Sequence, residues 1–120
     1  MSVMTVDHGY FSNQAEVMAD IAATGFWPTT YISDASPELP LHYHDHDIIG
    51  YVMSGQTYVL NEAGERVEIG AGDRLHIPRG AWHAEGKVTD TVTYIVTIRE
   101  PVPFLQALMP REPRGPWPEM

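Results

Sequence analysis

The chain contains no cysteine, which excludes disulfides, zinc–thiolate sites and a thiol nucleophile together. It has no apolar run long enough to cross a bilayer, so no membrane partner is expected. Its first residues lack the basic-then-apolar layout of a secretion signal, and a cytoplasmic protein is expected. Basic residues are scarce: 7 Lys and Arg stand against 16 Asp and Glu, a formal net charge of −9. None of the basic residues precedes Arg66. Nucleic-acid binding needs a basic face to replace phosphate counterions, so it is not expected either. No serine lies in a nucleophile elbow, and no glycine-rich phosphate loop opens a helix.

What remains fits one globular unit. With 120 residues, 43% of them hydrophobic, the chain is long enough for one core, and a single domain over 1–120 is expected. Phe11 to Thr24 reads as a helix: Phe11, Ala15, Met18, Ile21 and Ala22 recur at helical spacing, Ser12 or Asn13 can cap the start, and Gly25 ends it. Trp27 to Ser33 reads as a strand. Ile48 to Leu60 is rich in β-branched and aromatic residues and is broken by a turn at Ser54-Gly55. Shorter extended stretches follow at Arg66–Ile69, Leu75–Ile77, Trp82–Glu85 and Val88–Ile98, with turns between them. Short strands at regular spacing predict a sandwich or closed barrel rather than a parallel sheet. Six of the ten prolines lie from Pro101 onward, which predicts an extended arm over about 101–120. His8 falls in an N-terminal arm without an assigned role.

The histidines carry the chemistry. His42, His44 and His46 stand at i, i+2 and i+4 in a segment entering a strand. Alternate residues of a strand share a face about 7 Å apart, so two such imidazoles can converge on one metal ion. The third ligand must come from another strand. His83 is the candidate, because it follows a turn that can return the chain beside the first strand. Trp82 then faces away from the metal. If Ile48 points inward, so do Gly50 and Val52, while Tyr51 and Met53 cover the other face. His76 reads as structural, Asp47 as a capping or surface residue. The uneven charge reads first as solubility by net acidity; the alternative is that one of the cations of the second half, Arg79 for choice, receives an anionic substrate group.

The segment His42-Tyr43-His44-Asp45-His46-Asp47-Ile48-Ile49-Gly50-Tyr51-Val52-Met53-Ser54-Gly55 resembles the first motif of the cupin family. Gly72-Asp73-Arg74-Leu75-His76-Ile77-Pro78-Arg79-Gly80-Ala81-Trp82-His83 is similar to the second in Gly72, Asp73, Pro78, Gly80 and His83. The resemblance covers roughly Thr29 to Ile98. It implies an all-β fold, a single antiparallel jelly-roll barrel, here with a short N-terminal helix and a Pro-rich C-terminal arm. It also implies one divalent metal ion inside the barrel on His42, His44 and His83. The family's glutamate ligand falls at Ile48, which cannot ligate. Three imidazoles alone can hold the ion, His46 or Asp47 can replace the glutamate, or the site binds no metal.

Three neutral imidazoles leave coordination positions free for a small-molecule substrate, and Fe(II), Mn(II), Ni(II) and Zn(II) all accept imidazole. Ile48 would dry the pocket, and Gly50 and Val52 would line it with Arg79 nearby. The leading expectation is an Fe(II)-dependent dioxygenase. The alternatives are an isomerase, cyclase or lyase that uses the metal as a Lewis acid, and a non-catalytic binding cupin. Small cupins resemble each other in forming dimers, so a homodimer is expected.

Overall fold

Strands form where β-branched and aromatic residues cluster, and glycine-bearing turns separate them. The computed structural model describes residues 3–99; the arm expected over 101–120 lies outside the described residues. The elements are β1 (Thr5–Asp7), α1 (Gln14–Thr24), β2 (Trp27–Ser33), β3 (Ile48–Ser54), β4 (Gln56–Leu60), β5 (Arg66–Gly70), β6 (Arg74–Ile77), β7 (Ala84–Glu85) and β8 (Val92–Ile98). They form a five-stranded sheet, β1-β6-β3-β8-β2, and a three-stranded sheet, β5-β4-β7. Every pairing is antiparallel. The two sheets close on each other as a jelly-roll barrel. No helix among the described residues is long and apolar enough to cross a membrane.

The barrel core joins both sheets. Val52 of β3, Val59 of β4, Ile69 of β5, Leu75 of β6 and Val92 of β8 form one buried cluster with Met4 and Val88. Each such aliphatic side chain contributes roughly 1.5–3 kcal/mol by leaving water, and this layer holds the sheets together. β3 is apolar on both faces because both are covered. Gly50 and Val52 face the barrel, while Ile49 and Tyr51 pack outward against Phe11, Val17 and Ile21 at helix α1. The turn from β3 into β4, where the chain passes from one sheet to the other, requires glycine. Gly55 has φ +87°, and a Cβ there would stand 2.5 Å from the carbonyl oxygen of Thr91.

Helix α1 starts three residues later than expected. Asn13 caps it by accepting the Glu16 N–H at 3.0 Å, and the Glu16 carboxylate accepts the Ser12 N–H at 2.7 Å. Its buried residues are Val17 and Ile21, one turn apart, and Met18 is 45% exposed. A polar clamp fixes the helix to the sheet. Asp20 accepts hydrogen bonds from the hydroxyls of Tyr51 at 2.5 Å and Tyr10 at 2.7 Å, and Arg74 Nε lies 3.1 Å away. Burial and the bond to Asp20 push the Tyr51 hydroxyl up to about 12, so it donates at any pH the fold survives.

The N-terminal segment is ordered into the sheet rather than an arm. β1 pairs with β6, and His8 reaches Asp73 with Nδ1 at 3.1 Å from Oδ2. Asp73 also accepts the N–H groups of Gly9 at 3.0 Å and Gly70 at 2.9 Å. Burial would raise its pKa, but these bonds outweigh it and hold the carboxyl below the usual carboxylate range. A depressed folded pKa gives stability that is present above the unfolded value and is lost as pH falls through the folded one. Asp73→Ala is therefore expected to cost about 1.5–3 kcal/mol at pH 7, and the gap to wild type should shrink toward pH 2. Urea unfolding at a series of pH values measures it. An equal gap at all pH values would show that the carboxylate's charge plays no part.

Candidate metal centre

The site begins with two backbone hydrogen bonds. His42 N–H donates to the His83 carbonyl at 2.8 Å, and His83 N–H donates to the His42 carbonyl at 2.9 Å. This lone antiparallel bridge lies between the approach to β3 and the approach to β7. Opposed residues on paired extended segments project to one side, and so do residues two positions away. His42 with His44 on one segment, and His83 with Glu85 on the other, therefore share a face. The Leu39 N–H to the Glu85 carbonyl at 3.0 Å and the Gly80 N–H to the His44 carbonyl at 3.0 Å brace both ends.

The four side chains converge. Ring centroids are 5.0 Å apart for His42–His44, 4.6 Å for His42–His83 and 5.0 Å for His44–His83. One ligand atom from each of His42, His44, His83 and Glu85 lies within 4.8 Å of all the others. Donors bonded to a common ion at about 2.1 Å are up to about 4.2 Å apart, so small side-chain adjustments would bring these four to bonding distance.

The hydrogen bonds select the ligating tautomer. His42 Nδ1 lies 2.8 Å from the Pro40 carbonyl and His83 Nδ1 lies 3.0 Å from the Ala81 carbonyl. A carbonyl only accepts, so each Nδ1 carries the proton and each Nε2 keeps its lone pair. Metal-binding histidines are oriented in this way. His83 is fully buried. Its Nε2 is 3.1 Å from Glu85 Oε2 but out of line for a hydrogen bond, and both atoms are buried with no hydrogen-bond partner. Such orphaned lone pairs are costly unless something bonds to them, and a cation between them fits. Glu85 Oε1 lies 3.3 Å from His42 Nε2.

Electrostatics favour the same occupant. Burial, then the neighbouring His83, lowers the His44 pKa, which keeps that ring neutral and able to ligate. Burial would raise the Glu85 pKa, but His83, His42 and His44 outweigh it and keep the carboxylate ionised. Burial would lower His83, but the adjacent Glu85 and the Ala81 carbonyl raise it. Glu85 thus stabilises positive charge at the meeting point of the rings.

His44, His83 and Glu85 of this cluster form part of the wall of a cavity of about 580 Å³ in the barrel. Ile48 and Gly50 line it as expected from strand parity, and Trp82 faces outward at 53% exposed against Tyr43. Three expectations are corrected. Val52 does not line the cavity; it is fully buried in the apolar cluster that joins the sheets. Arg79 is exposed and outside the cavity, where its N–H donates to Asp47 Oδ1 at 2.8 Å. His46 does not join the cluster, because the chain bends at Asp45–His46 and the alternation of faces stops there. The carboxylate that stands with the histidines is Glu85, which sequence reasoning missed. The signal was present: Glu85 sits two residues after His83, as His44 sits two after His42. Tyr31 and Tyr94, also unplaced from sequence, line the cavity with ring centroids 6.1 Å apart.

Residues 32–99 match the family described as Cupin domain. The chain belongs to the cupin family. Solved structures agree on the fold. This cupin superposes on a DUF861 family protein from Thermotoga maritima with TM-score 0.58 and 19% identity, over 79% of this chain and 98% of that one. It superposes on the polyketide cyclase RemF from Streptomyces resistomycificus with TM-score 0.52 and 26% identity, over 62% of this chain and 55% of that one. For the DMSP lyase DddQ from Ruegeria pomeroyi the values are 0.54 and 23%, over 62% and 38%. No curated protein sequence matches this cupin.

A chelator-competition titration with zinc tests the ligand set. Glu85→Gln and His83→Ala are each expected to weaken zinc binding at least about tenfold, and His46→Ala to leave it unchanged. A His46→Ala loss as large as that of Glu85→Gln would refute this set.

Proposed function

We propose that this cupin is a metal-dependent enzyme in which His42, His44, His83 and Glu85 hold one divalent transition metal ion, and that it promotes proton-transfer chemistry, cyclisation or elimination, on a small organic molecule. The observation that carries the reading is the convergence of three imidazoles and one ionised carboxylate at a half-open, largely apolar cavity. A bound divalent ion would act as a Lewis acid on a substrate oxygen. The protein's own groups supply the rest. Glu85 is held ionised, and a carboxylate that ligates through one oxygen keeps the other as a proton acceptor. Tyr94 is pushed up to about 12 by burial first and by Glu85 and Tyr31 after it, which keeps its hydroxyl a donor at neutral pH. The apolar wall around Ile48, Leu75 and Val96 lowers the local dielectric and strengthens each of these interactions.

The sequence pointed first to oxygenation on Fe(II). The likeness to RemF, a polyketide cyclase, supports Lewis-acid chemistry instead. The two differ in their need for oxygen. Exchange of the acidic C–H of a 1,3-diketone for deuterium, followed by NMR under argon with zinc-loaded protein, is expected to run about 10²-fold or more above the metal alone. Glu85→Gln should remove most of that gain. Turnover seen only with Fe(II), with matching oxygen uptake, would establish oxygenation. No turnover with any metal would leave a binding protein.

A further inference from the structure

Among the described residues the cavity wall carries no arginine and no lysine. Of the five basic residues in the described part of the chain, Arg66 pairs with Glu68, Arg74 with Asp20 and Arg99 with Asp47. Arg79 and Lys87 are exposed, and none of the five lines the cavity. The one carboxylate on the wall, Glu85, belongs to the ligand cluster. Much of the rest of the wall is aliphatic: Ile48, Val59, Leu75, Ile77, Val88 and Val96. Uncharged hydroxyls from Thr29, Ser33, Ser36 and Thr57 complete the lining. A phosphate or sulfate group moved into this space would lose its hydration and have the metal ion as its one cationic partner, with no cationic side chain among the described residues for its remaining oxygens. The formal net charge of −9 opposes its approach as well.

From this we infer the substrate class: an uncharged, largely apolar molecule that presents an oxygen function to the metal cluster, with Tyr94 as the wall residue that hydrogen-bonds it. The inference rests on the reading of His42, His44, His83 and Glu85 as metal ligands. Among the described residues nothing hydrogen-bonds the Tyr94 hydroxyl, and its ring pairs with Tyr31 at the same wall. The volume of about 580 Å³ suits a molecule of one to three rings. Gly50 sets part of that volume. It lies in β3 on the cavity wall, and a Cβ built there meets nothing within 4 Å. A side chain at this position would extend into the cavity rather than into the packed core.

Gly50→Val is therefore a variant that keeps the fold and fills the space. The experiment titrates 1-hydroxy-2-acetonaphthone, an uncharged aryl ketone with a neighbouring hydroxyl, into zinc-loaded protein and follows its fluorescence. Glucose 6-phosphate is titrated by calorimetry in parallel, and zinc content is measured for every variant. The aryl ketone is expected to bind at least about tenfold more tightly than glucose 6-phosphate. Gly50→Val should weaken it at least about tenfold and Tyr94→Phe about three- to tenfold, with zinc content unchanged in both. Equal or tighter binding of glucose 6-phosphate would overturn the inference, as would aryl-ketone affinity unmoved by Gly50→Val. In either case retained zinc would leave the proposed metal site standing. Failure of the wild-type protein to take up zinc would remove the site and the inference together.

Discussion

Two hydrogen bonds between the backbones of His42 and His83 set the geometry of the whole site. They bring together two pieces of chain separated by 41 positions, and the alternation of extended backbone does the rest. Each piece contributes a residue at the bridge and another two positions along, so four side chains able to ligate face one point without any loop having to adopt strained angles. Among the described residues no residue other than glycine has positive φ. The burial of His83 and the carbonyls that hold the Nδ1 atoms of His42 and His83 then fix the rings, so the donors are oriented before anything binds.

The barrel supplies rigidity on one side and space on the other. At one end the buried cluster around Val52, Val59, Ile69 and Val92 locks the sheets together. Behind the sheet, helix α1 is held by Val17, Ile21 and the Asp20–Tyr51–Tyr10–Arg74 clamp. The cavity lies toward β2, which contributes Thr29, Thr30, Tyr31 and Ser33 to its wall. The same β3 serves both parts: Val52 packs in the core, while Gly50, two residues earlier, borders the cavity.

Much of this was legible in the sequence because it depends on local periodicity. The bounds of β2, the break at Ser54-Gly55 and the inward and outward faces of β3 follow from period-two alternation and turn chemistry, and they stand in the structure. So does the meeting of His42, His44 and His83. What was misread depends on departures from regularity or on distant partners. His46 was counted on strand parity, but the chain bends before it. His8 and β1 carry too short a pattern to be seen; their partners, Asp73 and β6, are more than sixty positions away. Met18 lay on the expected stripe, yet the sheet beneath selects Val17. Glu85 was overlooked because the family's glutamate belongs to the other motif, where Ile48 stands.

X-ray absorption at the zinc edge of the loaded, full-length protein tests the convergence most directly, since the outer-shell scattering of imidazole reports how many rings bind the same ion. Three imidazoles with nitrogen and oxygen donors near 2.0–2.1 Å are the expected result. A spectrum fitted by one imidazole or none would contradict it, and with it the assignment of residues 42, 44 and 83 to a common centre.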